Sequence, residues 1–83
     1  MNVKTVYPIV TFCNETDQSK DIAISTYAFS YDYPKKIATI KPHDEIRIAV
    51  NPKTEIPQYL WLLPPFEGKA SFLIDPDAEK VKV

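Results

Sequence analysis

Hydrophobic positions in this chain alternate with polar ones over short stretches, which is the pattern of β-strands. In EIRIAV, residues 45–50, the aliphatic side chains of Ile46, Ile48 and Val50 fall on every second position. An amphipathic helix would need a 3.6-residue period over ten or more positions, and no proline-free window of the chain has one. The pattern therefore predicts an all-β fold.

Prolines separate the predicted strands. The chain has eight prolines and a single glycine, Gly68. Between the prolines lie segments of strand length: VKTVY and IVTFC around Pro8, then DIAISTYAFSYDY, KIATI, EIRIAV, QYLWLL, ASFLI and EKVKV. These segments and the turn residues between them predict a single small antiparallel β-sandwich of six or seven strands over residues 1–83. A small barrel is the alternative.

The longest predicted strand, residues 21–33, changes its phase of alternation. Ile22 and Ile24 place its apolar face on even positions, whereas Tyr27 and the aromatic residues after it place that face on odd positions. Because a shift of one residue reverses every side chain, a β-bulge near Ser25 would let the strand serve both halves of a sandwich. Burial of both faces at the start of the strand is the alternative interpretation.

The segment QYLWLL is apolar on both sides. Tyr59, Trp61 and Leu63 fall on one side of this predicted strand, and Leu60 and Leu62 on the other. Such a strand lies at the centre of a sandwich or is covered by something else. We assign Leu60 and Leu62 to the core, or the opposite set if the register differs. The remaining row forms an apolar patch, and a patch of this kind marks an interaction site.

Composition excludes several classes of site. The single cysteine, Cys13, excludes a disulfide within the chain. Cys13 and His43 are the only soft metal ligands and lie far apart in sequence, so we expect no metal and no cofactor. A chain of 83 residues that is 45% hydrophobic can form one core, and a core this small gains from coverage by a partner.

Charge and hydropathy narrow the choice of partners. Ten basic and eleven acidic residues are interspersed, so no basic stripe exists and we expect no nucleic-acid binding. The longest apolar run is far shorter than the about 20 residues of a membrane-spanning helix, and the N-terminus lacks a signal-peptide pattern. We expect a cytoplasmic protein without a membrane contact.

Candidate catalytic groups have simpler interpretations as structural groups. His43 in KPHDE could act as a base oriented by Asp44, but a turn histidine in solvent is the stronger interpretation. Cys13 could pair with His43 as a thiolate, but a buried cysteine that packs as a small hydrophobe is favoured. The carboxylates of DPDAE, residues 75–79, lack the glycine and distal glutamate of a calcium loop. NET, residues 14–16, is interpreted as turn chemistry rather than a glycosylation site. We expect no enzymatic activity.

Three segments together resemble a known family. VTFCNETDQ, then DYPKKIATIKPHDEIRIAV, then QYLWLL are similar to the β-domain of the von Hippel-Lindau tumour suppressor over residues 10–63. The matching residues are Phe12, Cys13, Asn14, Tyr33, Pro34, Leu60, Trp61 and Leu62.

This resemblance implies a seven-stranded sandwich that binds an extended, proline-containing peptide. It places Tyr33 and Trp61 in a pocket that takes hydroxyproline in the family. That pocket also needs a serine and a histidine from the segment before the tryptophan, and AVNPKTEIPQY, residues 49–59, contains neither. A hydroxyl buried there without partners would cost about 1–3 kcal/mol for each one lost, so strict hydroxyproline recognition is not expected.

The aromatic content favours a binding function. Five tyrosines, four phenylalanines and one tryptophan exceed what so small a core easily buries, and Tyr and Trp are common at interface hot spots. Phe29 is expected to pack inward. The predicted binding residues are Tyr31, Tyr33, Tyr59, Trp61 and Phe66.

The predicted partner is a protein or an extended peptide. The domain would bind it through the aromatic patch and unpaired edge strands, as an adaptor or as a small inhibitor of a larger protein. An aromatic row that is core alone is the simpler interpretation. A carbohydrate-binding module and a homo-oligomeric structural subunit are the alternative functions.

Overall fold

The protein is a two-sheet sandwich in a computed structural model that describes residues 6–64 and 71–83. Its strands are β1 (Ile9–Cys13), β2 (Lys20–Ser25), β3 (Ala38–Ile40), β4 (Glu45–Ala49), β5 (Tyr59–Leu62), β6 (Ser71–Leu73) and β7 (Lys80–Lys82). Every regular element in these residues is a strand, so the all-β prediction is confirmed.

The strands form one sheet in the order β4-β1-β7 and a second in the order β3-β2-β5-β6. All pairs are antiparallel except β1 and β7, where Thr11 lies beside Lys80 in a parallel ladder. Strand β6 ends at the end of the sandwich at which β1 begins, so the chain enters β7 in the direction of β1. The predicted antiparallel sandwich is confirmed with this one exception.

The principal core lies between the two sheets. Alternation in β4 follows the prediction, because Ile46 and Ile48 point into the core while Glu45 and Arg47 are exposed. The fully buried members come from both sheets and the segments beside them: Val10, Phe12, Ile22, Ile40, Val50, Leu60 and Ile74. Leu62 packs against this cluster, so the assignment of Leu60 and Leu62 to the core is confirmed.

Two predicted strands differ from the structure. The strand expected over residues 21–33 ends at Ser25, and the residues after it follow an irregular path, so the expected bulge is wrong. The Ser25 hydroxyl donates to the carbonyl of Tyr27 at 2.6 Å, and the Tyr27 amide lies 3.3 Å from the same hydroxyl oxygen. These local bonds replace ladder bonds and end the strand.

The N-terminal strand VKTVY is the second difference. Val6 and Tyr7 are exposed and not in a strand, and residues 3–5 lie outside the described ranges. The sheet begins after Pro8, whose carbonyl accepts a hydrogen bond from the Val50 amide at 2.9 Å. Because proline has no amide hydrogen, it cannot donate to a ladder, and β1 starts at the next residue.

Asn14 holds the loop after β1, as turn chemistry predicts. Its side chain is 1% exposed, and its amide nitrogen donates to the carbonyls of Gln18 at 2.7 Å and Ile40 at 2.9 Å. Its carbonyl oxygen accepts from the amide and the hydroxyl of Thr16. The turn interpretation of residues 14–16 is confirmed, since the nitrogen that a glycan would occupy is buried and bonded.

Candidate aromatic binding site

The site is built on the outer face of the four-stranded sheet. Residues 26–34, here called the aromatic loop, leave the end of β2 and cross this face. The loop is tied to β6 because the Ser71 hydroxyl donates to the carbonyl of Ala28 at 2.8 Å. An antiparallel sheet can leave one face in solvent, but here the loop covers part of it.

Trp61 forms the floor of the site. It is 4% exposed and packs in a second cluster with Ala23 and Leu63, beside half-buried Tyr59. Its indole N–H donates to the Ser25 hydroxyl oxygen at 2.7 Å. A buried indole usually finds such a partner, and this bond also fixes the rotation of the ring. Trp61 therefore links the end of β2 to the middle of β5.

Two tyrosines of the aromatic loop contact the indole. The ring centroids of Tyr27 and Trp61 are 6.1 Å apart with an interplanar angle of 65°, and those of Tyr33 and Trp61 are 5.9 Å apart at 80°. Both pairs have the edge-to-face geometry that aromatic quadrupoles favour. The loop thus covers the floor with ring edges rather than with a further strand.

The outermost rings of the loop are exposed. Phe29 is 78% exposed and Tyr31 is 98% exposed, and their ring centroids lie 6.0 Å apart at 68°. The expectation that Phe29 packs inward is wrong. It rested on strand alternation, and this segment is not a strand. Large apolar groups in solvent carry an unfavourable hydration cost that a partner would remove.

A pocket of about 360 Å³ opens between the loop and the sheet. Four aromatic side chains line it, together with two serines and an alanine: Phe29, Tyr31, Tyr33, Trp61, Ser30, Ser71 and Ala28. Convergent aromatic groups with a few polar ones are typical of ligand sites.

The predicted binding residues separate into three groups. Tyr31, Tyr33 and Trp61 line one pocket, but the expected exposure of Trp61 is wrong, because the loop covers it. Tyr59 packs beside Trp61 and does not line the pocket. Phe66 lies outside the described residues.

Sequence reasoning missed the place of Phe29 in this pocket. Ser25, two residues before Tyr27, could have indicated from the sequence that β2 ends there. Serine side chains often bond to the backbone two residues on, and such a bond would have moved the aromatic row from a strand into a loop.

Cys13 and His43 do not form a hydrogen-bonded dyad. The Cys13 thiol is buried and donates to a Glu45 carboxylate oxygen at 3.5 Å. Burial first, and then this bond, raise the pKa of Cys13 above that of an ordinary thiol, which disfavours a thiolate nucleophile. His43 is exposed, with its Nε2 atom 2.7 Å from an Asp17 oxygen rather than bonded to Asp44.

The carboxylates of residues 75–79 serve a turn. The Asp77 amide donates to an Asp75 side-chain oxygen at 2.9 Å, and the Asp77 carboxylate pairs with Lys53 at 2.5 Å. In the described part of the chain no three histidine, cysteine or acidic side chains are grouped to hold a metal ion.

A second groove, of about 350 Å³, lies at the end of the sandwich where β4 ends and β5 begins. Prolines and aliphatic side chains dominate its lining: Val50, Pro52, Pro57, Leu73, Ile74 and Pro76. It has no aromatic ring among the residues that the structure describes. The aromatic pocket therefore carries the stronger indication of a specific ligand.

Comparison with protein-family models, with curated proteins and with solved structures gave no match. The family resemblance of residues 10–63 stays a prediction. Within residues 6–64 and 71–83, no helix has the length and apolar character needed to cross a membrane.

Proposed function

We propose that this domain is a non-enzymatic module that binds a protein or an extended peptide at the aromatic loop. The single observation that carries the proposal is the exposure of Phe29 and Tyr31 beside a pocket whose floor, Trp61, is buried and hydrogen-bonded. A fixed floor reduces the entropy lost on binding, and exposed rings supply the contact area. An adaptor or a small inhibitor of a larger protein would act in this way.

Edge strand β6 provides a place for the backbone of an extended peptide. It is the last strand of its sheet among the described residues, and Ser71 at its start lines the pocket. A peptide added along β6 would gain main-chain hydrogen bonds, while one of its side chains enters the pocket. The proposal thus combines strand addition with recognition of one side chain.

A protein ligand fits the lining better than a carbohydrate. Exposed tyrosines also stack on sugar rings, but sugar hydroxyls need several hydrogen-bonding partners. Apart from tyrosine hydroxyls, the polar side chains among the described lining residues are Ser30 and Ser71, and the Ser71 hydroxyl hydrogen is already donated to Ala28. A glycan array tests this second class of ligand, and light scattering at two concentrations tests binding to a second copy of the chain.

Affinity capture from the native host with mass spectrometry tests the proposal. The bait variants are Phe29→Ala combined with Tyr31→Ala, and, as a matched control, Tyr7→Ala, since Tyr7 is exposed but does not line the pocket. The loop variant is expected to lose the proteins that the parent and the control retain. A folded loop variant that captures the same proteins would overturn the proposal.

A further inference from the structure

The described lining of the aromatic pocket consists of aromatic rings and small uncharged side chains. Every ring that lines it comes from the aromatic loop or from Trp61, and none of its described lining residues is acidic or basic. The face of an aromatic ring carries negative electrostatic potential, and a cation within about 6 Å of the ring centroid is attracted to it. A pocket made of rings is therefore an uncharged site that favours a cation.

The rings are set at steep angles to each other. Tyr33 meets the indole of Trp61 at 80°, and Phe29 meets Tyr31 at 68°. Each pair forms a corner rather than a flat stack, and all four rings line the same pocket. Rings at such angles can contact a tetrahedral group on several sides, whereas parallel rings would take only a flat group.

Hydrogen bonds within the site decide which cation fits. The indole N–H is donated to Ser25 and the Ser71 hydroxyl hydrogen to the Ala28 carbonyl, so these groups are already paired. Among the described residues that line the pocket, none has a carboxylate to accept hydrogen bonds from an ammonium group. A primary ammonium would lose its water without that compensation. A trimethylammonium group has no N–H, so it gives up no hydrogen bonds to water when it enters the pocket.

Within residues 6–64 and 71–83, no basic side chain lines the pocket and opposes a cation there. Asp32 lies between Tyr31 and Tyr33 in the loop. The Lys36 amine is 4.0 Å from a carboxylate oxygen of Asp21 on β2, and neither residue lines the pocket. Lys35 is exposed and does not line the pocket. Of these charged residues, Asp32 is therefore the one that lies between two lining residues in the sequence.

We propose that this pocket binds the trimethylammonium group of a trimethylated lysine in a partner protein. The inference rests on the proposed protein-binding function and names the side chain that the partner inserts. The volume of about 360 Å³ accommodates this group and part of its alkyl stem. The peptide backbone on either side then lies along β6.

Titration of the full-length protein with three small probes tests the inference. They are the N-acetyl methylamides of trimethyllysine, of its neutral tert-butyl isostere and of unmodified lysine. Trp61 is the only tryptophan, so its indole N–H gives one identifiable signal in a ¹⁵N–¹H spectrum. Trimethyllysine is expected to shift this signal and to bind about tenfold more tightly than either other probe.

Ring substitutions separate cation recognition from apolar contact. Tyr31 is almost fully exposed, so Tyr31→Phe and Tyr31→Leu are both expected to fold. Tyr31→Phe retains the ring and should keep the tenfold preference, whereas Tyr31→Leu should reduce trimethyllysine affinity about threefold or more. Tyr7→Leu is the control and should change nothing.

Equal affinity for trimethyllysine and its neutral isostere overturns the inference, as does absence of binding by all three probes. Neither result alters the capture experiment with the Phe29 and Tyr31 variants, which fails only if the loop is not a protein-binding surface. Free choline is titrated as a fourth compound, and binding as tight as that of the trimethyllysine probe overturns the assignment to a lysine side chain and points to a small-molecule ligand.

Discussion

The two faces of β5 are apolar to a similar degree, but they are covered in different ways. On the inner face, Leu60 packs between the two sheets, and within each sheet the strands are joined by ladders of hydrogen bonds. On the outer face, Trp61 packs beneath a loop that is held by serine hydroxyls and ring edges. Ladder bonds protect the inner face cooperatively, whereas the outer cover depends on a few side-chain contacts, so we expect it to open without unfolding of the sandwich. A binding site is expected on the face that needs less free energy to be uncovered.

Truncation of one leucine to alanine on the inner side and of one on the outer side tests this difference in cover most directly. Leu60→Ala should reduce the free energy of unfolding by about 2–5 kcal/mol, because it leaves a cavity between the sheets. Leu63→Ala, in the outer cluster just after β5, should cost less, since Leu63 is 9% exposed and its truncation leaves a space open to solvent. Denaturant unfolding of both variants measures the difference. Equal losses would mean that the outer cluster is as firmly packed as the core.

Removal of Asn14 should have the next largest effect. Its amide joins the end of β1 to the carbonyls of Ile40 and Gln18, so it links the two sheets at their edge. Asn14→Ala removes the donor to the buried Ile40 carbonyl and should cost about 1–3 kcal/mol. Thr16→Ala is the matched control, because Thr16 is exposed and its loss keeps the amide bonds. A similar loss in both variants would contradict this role for Asn14.

Ser71→Ala should change the outer face with little effect on the inner one. The variant frees the Ala28 carbonyl, which can bond to water, so the loss of stability should be below about 1 kcal/mol. Opening of the loop should expose Trp61 and shift its fluorescence to longer wavelength. Ser30→Ala, which removes only a bond within the loop to the Asp32 amide, is the control. An unchanged emission maximum in Ser71→Ala would show that this bond does not hold the loop.

The smallest expected effect concerns Cys13 on the outer face of the other sheet. Its pKa is raised mainly by burial, so the folded protein retains the thiol proton at a pH where the unfolded chain has lost it. Stability that depends on this proton is complete below the ordinary thiol pKa of 9.0 and falls as pH rises above it. The parent should therefore lose more stability than Cys13→Ala between pH 7 and pH 10. Parallel losses would contradict the raised pKa.

Local pattern was sufficient for most of the fold. Alternation in EIRIAV and the two apolar faces of QYLWLL predicted β4 and the central position of β5 correctly. These features depend on residues close in sequence. The parallel pairing of β1 with β7 did not follow from them, because it depends on where the chain leaves the other sheet.

For the candidate site, the sequence by itself determined the ingredients: the aromatic row of residues 27–33 and Trp61 in an apolar strand. Only the tertiary structure decided their roles. The Ser25 hydroxyl ends β2 and accepts the indole N–H, so the row becomes a loop above Trp61 rather than a strand beside it. Alternation cannot reveal this arrangement, because bonds between side chains distant in sequence decide which rings are covered and which remain in solvent.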